Sequence, residues 1–83
     1  MNNDILHNIC KTLRNDCVCL DFIRRAEEAI IAGRPIRAKQ SCINAIYRAA
    51  DVLGYILLYE VRAHATDNLF ELVEFQAEKL RAK

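Results

Sequence analysis

The stretch Ile36–Arg62 constrains this chain more than any other. Asn44, Arg48, Asp51, Tyr55 and Arg62 recur at the spacing that places them on one narrow stripe of an α-helix. Most of what lies between them is apolar: Cys42, Ile43, Ala45, Ile46, Ala49, Ala50, Val52, Leu53, Ile56, Leu57, Tyr59 and Val61. Read as one helix of about 27 residues, the stretch would run roughly 40 Å and would require cover over most of its circumference. The sequence therefore predicts a long central helix with the other segments packed around it. Ala50 and Gly54, one turn apart, predict a close backbone crossing of that helix with another.

Cover is scarce in a chain of this size. Its 83 residues suffice for a single helical domain over residues 1–83, yet 53% of them are hydrophobic. A domain this small buries a modest share of its surface, and oligomerisation is a common way to hide the remainder. The reading is a homodimer built on the central helix, with Ile46, Ala49, Ala50, Leu53, Gly54, Ile56 and Leu57 at its interface.

The flanking segments are helical by the same periodicity. Ile5, Leu6, Ile9, Cys10 and Leu13 follow the candidate caps Asn3 and Asp4 and predict a short first helix. The next apolar face, Cys19, Phe22, Ile23, Ala26, Ala29 and Ile30, is rotated by roughly half a turn from the first. That slip falls at Arg14-Asn15-Asp16, so a break is placed there and a second, amphipathic helix from Asp16 to Ala32. Gly33-Arg34-Pro35 is a stop signal, a glycine able to adopt the left-handed cap followed by a residue that cannot continue the ladder. Ala63 to Asp67 reads as the turn into a last amphipathic helix capped by Asn68 and Glu71. Leu69, Leu72, Val73, Ala77 and Leu80 form its apolar face, and Lys79, Arg81 and Lys83 close it with the sign a helix C-terminus prefers. No alternating β-branched run or hairpin turn signal appears. The fold class is all-α, a small four-helix domain.

Charge excludes some functions. Twelve basic and eleven acidic residues leave a net charge of +1, too little to steer the chain to nucleic acid or an anionic membrane by its overall field. The longest apolar run, Val52 to Tyr59, is too short to span a bilayer. The start MNNDILHN lacks the cationic and continuous apolar regions of a secretory signal. These features point to the reducing cytoplasm, with no membrane partner and the four cysteines as thiols.

Chemistry-bearing motifs are sparse. His7, Cys10, Cys17 and Cys19 flank the first break, but their spacing departs from that of paired zinc ligands, so they are read as metal-free, and Cys42 as core. Arg62 and His64 are two residues apart, and helical HEPN-type ribonucleases separate their Arg and His by four to six positions; no likeness is claimed. The only serine is Ser41, and the two glycines lie in no phosphate-binding loop. No catalytic residue and no cofactor is assigned.

The distribution of charge says more. Asp67, Glu71, Glu74 and Glu78 form an acidic row at helical spacing with no base between Arg62 and Lys79. Arg34, Arg37, Lys39 and Arg48 fall in a stretch with no acid between Glu28 and Asp51. The leading expectation is a non-enzymatic interaction module, an adaptor or inhibitor of the kind mobile elements encode, that occupies a partner protein through the acidic row. The alternative is a nucleic-acid-associated regulator that touches phosphates through Arg34, Arg37 and Lys39.

Overall fold

Asp16 ends the first amphipathic run where its phase slips. Its backbone is extended, and its carboxylate accepts a hydrogen bond from the Cys19 backbone N–H at 3.0 Å, the geometry of an N-cap. In the computed structural model, which describes residues 2–82, this cap separates the first two of four helices. They are α1 (Asn2–Asn15), α2 (Cys17–Ile31), α3 (Pro35–Leu53) and α4 (Tyr59–Arg81), with no strand among the described residues. The all-α, four-helix class is as the periodicity predicts. Lys83, the last of the closing basic residues, lies outside the described residues. Asn3 and Asp4 fall inside α1 and do not cap it, because the helix already begins at Asn2.

The predicted long helix is two helices. Gly54 adopts φ 73°, in the left-handed region, and its N–H bonds Asp51 O at 3.1 Å while Tyr55 N–H bonds Ala50 O at 2.9 Å. Gly33 ends α2 in the same way, with φ 76°, its N–H on Ile30 O and Arg34 N–H on Ala29 O. Both are the paired back-bonds that satisfy a helix's last carbonyls. The predicted crossing at Gly54 is absent, since a Cβ built there meets nothing within 4 Å. Residues 55–58 then form a connection, and α4 starts at Tyr59 with no side chain capping it. The predicted turn at Ala63–Asp67 lies inside α4, so Asn68 and Glu71 cap nothing. Continuous helix there buries Ala65, Thr66 and Leu69 on one side, which outweighs the local cap preference of Asn68.

Reversals at Gly33 and Gly54 make α2, α3 and α4 pack side by side, α3 antiparallel to each of the other two. Cys19 and Asp16 of α2 meet Ala45 and Arg48 of α3. Lys39 of α3 meets Asp67 of α4. The core takes Ile9 and Leu13 from α1, and Cys19, Ala26 and Ala29 from α2. From α3 come Ala38, Cys42, Ala45, Ile46 and Ala49, and from α4 come Ala65, Leu69 and Val73. So many alanines bring the helix backbones close, and the larger Phe22, Ile23, Leu53, Leu57 and Phe70 close the margins. Cys10, read as part of the α1 face, is exposed, as are Leu72 and Leu80 of α4. Among the described residues, no helix is long and apolar enough to cross a membrane.

Candidate functional site

Ending α3 at Gly54 leaves three bulky residues on the surface at and just after residues 55–58. Ile56 is 100% exposed, Leu58 75% and Tyr59 73%. Large apolar side chains this bare and this close in sequence are unusual on a small monomer. The connection is nevertheless anchored: Asn8 Nδ2 donates to the Tyr55 hydroxyl at 3.0 Å, tying it to α1, and Leu57 packs against the core.

Beside it, Arg62 of α4 lies between two rings. Its guanidinium carbon is 5.0 Å from the Tyr47 centroid and 5.4 Å from the Tyr59 centroid, both within cation–π range. Tyr47 and Arg62 form a ridge with a shallow cleft on each flank, about 380 Å³ on the Lys39 and Thr66 side and about 400 Å³ on the Tyr55 and Ile56 side. Tyrosine and arginine flanked by apolar side chains are the residue types that dominate binding energy at protein interfaces.

The predicted acidic row is one exposed stripe of α4, but its members differ in availability. Asp67 is 3.5 Å from Lys39, and Glu78 is 3.8 Å from Arg81. Glu71 and Glu74 have no ion-pair partner among the described residues and stand beside exposed Leu72 and Phe75. The predicted interface residues are divided. Ile46, Ala49 and Ala50 are buried in the chain's own interior, Leu53 and Leu57 are packed against the core, and only Gly54 and Ile56 are exposed. The basic group is divided as well. Arg34 and Arg37 line one cleft, whereas Lys39 lines another and faces Asp67.

Sequence reading missed Tyr47 and Leu58 as surface residues. For Leu58 the signal was Gly54: taken as a helix end, it would have turned residues 55–58 into a connection; Tyr47, inside α3, had no local signal.

Three groups at the α2–α3 contact and core are shifted by their surroundings. The Arg48 hydrogen bond, with the Cys19 N–H, lowers Asp16 to about 2. Burial pushes the Cys19 thiol up to about 12 and the Cys42 thiol up to about 11. Cys19 Sγ donates to Ala45 O at 3.6 Å. His7, Cys10 and Cys17 are exposed, and among the described residues no three His, Cys, Asp or Glu side chains gather as metal ligands do. The fold and its surface define a small all-α, four-helix protein with an exposed aromatic and apolar edge. No family model, curated protein or solved structure matches the chain.

Proposed function

We propose that this chain is a non-enzymatic protein-interaction module that acts by occupying a partner's surface through the α3–α4 edge. One observation carries the reading: Ile56, Leu58 and Tyr59 are almost bare of cover while the connection that holds them is anchored by Tyr55 and Leu57. Burying such side chains contributes about 25 cal/mol per Å² of apolar surface removed from water. A pre-anchored edge loses little ordering entropy on docking. The acidic stripe of α4 runs away from the same edge, with Glu60 at its near end. It suits a partner that sets an apolar groove beside basic side chains, where charge favours encounter and orientation. A second copy of the chain, pairing through Ile56 and its neighbours, is another occupant that would cover the same apolar edge. The cytoplasm is the compartment that fits this reading, with the thiols reduced.

Affinity capture from the native host with quantitative mass spectrometry tests it, using wild type, Ile56→Asp with Leu58→Asp, and Glu71→Lys with Glu74→Lys. A partner retained by wild type should be lost with the edge pair and weakened by the acidic pair. Equal recovery with wild type and the edge pair would sink the proposal.

A further inference from the structure

A second surface at the opposite end of the bundle, independent of the α3–α4 edge, carries a different chemistry. Where α2 turns into α3, a cleft of about 440 Å³ opens between the two helices, with Arg25, Arg34, Arg37 and Ser41 around it. We propose that this cleft binds the terminal phosphate of a small phosphate monoester, of about the size of a mononucleotide.

Local spacing assembles the site. Arg37 and Ser41 are four residues apart on one face of the first turns of α3, and Arg34 precedes them as its N-cap residue. Arg25 stands across from them on α2, and small Ala29 and Ala32 keep the space between open. The volume falls within the range of small-ligand sites.

Charge at the site is mostly uncommitted. Arg34 and Arg37 make no ion pair among the described residues, since no acid occurs between Glu28 and Asp51 to supply one locally. Arg25 Nε lies 2.9 Å from Asp21 Oδ2 in an ion pair, which steadies the side chain and leaves its two terminal nitrogens without an ion-pair partner among the described residues. Glu28, the one carboxylate lining the cleft, is engaged by Arg24 at 3.2 Å. Three arginines therefore line the cleft with a single, already paired acid. Planar guanidinium forks match phosphate oxygens two at a time, and Ser41 adds a hydroxyl donor. The first turn of α3 has no side chain bonded back to it, so the positive end of the helix reinforces the same sign.

A monoester suits the cleft better than a nucleic-acid strand. The three arginines line one cleft, and Lys39, the next candidate along α3, lines a different one, 3.5 Å from Asp67. A strand gains affinity by neutralising several phosphates in register, whereas a terminal phosphate delivers up to two charges to a single cleft.

Nuclear magnetic resonance titration of the full chain at constant ionic strength tests this, with inorganic phosphate, a nucleoside monophosphate and a 5′-hydroxyl oligonucleotide as probes. Shifts from the first two should centre on Arg25, Arg34, Arg37 and Ser41. Arg34→Gln with Arg37→Gln should weaken binding about tenfold or more, the loss expected for charged hydrogen bonds. Lys11→Gln with Arg14→Gln, which removes the same charge near the C-terminus of α1, should leave it unchanged. Silence with both small probes, shifts centred elsewhere, or equal weakening by the two double variants would overturn the proposal. Tighter binding of the oligonucleotide than of the monophosphate would also overturn it, because the cleft would then be part of a strand track.

Discussion

The Asp16 carboxylate receives Arg48 Nε at 3.1 Å on Oδ2 and Arg48 NH2 at 3.2 Å on Oδ1. The same carboxylate caps α2 through the Cys19 N–H, so one side chain starts a helix and fastens it to α3. The pair spans 32 positions in sequence, and no local pattern announces it.

The pair predicts acid sensitivity. Arg48 and the cap hold Asp16 near 2, below its ordinary 3.8. Between those values the unfolded chain takes up a proton that the folded chain refuses. Stability from this group is thus present above about pH 4 and is lost as pH falls through about 2. Circular dichroism melts across that window should show the decline. Asp16→Asn, which keeps a capping side chain but not the ion pair, should flatten it; an unchanged slope would remove Asp16 as its cause.

Gly54 offers a test by sign. Because its φ is 73° and a Cβ would meet nothing within 4 Å, Gly54→Ala suffers backbone strain alone and should destabilise by about 1–2 kcal/mol. Were α3 to run on through this position, the same change would stabilise by about 1 kcal/mol. Urea denaturation decides: a lower midpoint supports the helix end, a higher one refutes it.

Burial separates the thiols into two classes. Cys10 and Cys17 are exposed, while Cys19 and Cys42 are buried and their thiols are pushed far above neutrality. Alkylation at mildly alkaline pH should modify two cysteines quickly and two only as the chain opens. Fast labelling of all four, resolved by peptide mass spectrometry, would contradict the core described.

Two isoleucines of the predicted interface should part company. Ile46, 1% exposed, fills the core, so Ile46→Ala should cost about 2–5 kcal/mol. Ile56 is wholly exposed, and Ile56→Asp should change stability by less than about 0.5 kcal/mol. If a second copy pairs at this edge, light scattering at micromolar concentration should give twice 9.5 kDa for wild type and a single chain for Ile56→Asp. A monomeric wild type would exclude the second copy as partner.

By itself, the sequence determined the all-α class, the break at Asp16, the stop at Gly33 and the face that α2 buries. Each follows from periodicity or from a cap whose partners lie within one turn, interactions that span three or four residues. The ion pairs Asp21–Arg25 and Arg24–Glu28, four residues apart on α2, are equally local. Tertiary structure alone decided where α3 stops. A lone glycine inside an apolar run is compatible with a crossing or an end, and no proline follows Gly54 as Pro35 follows Gly33. It also decided which apolar residues are covered, since Ile46 and Ile56 look alike along the chain and differ only in what packs over them. The clefts, the Tyr47–Arg62–Tyr59 stack and the separation of Lys39 from Arg34 and Arg37 arise where helices distant in sequence come together, and helical periodicity carries no information about that meeting.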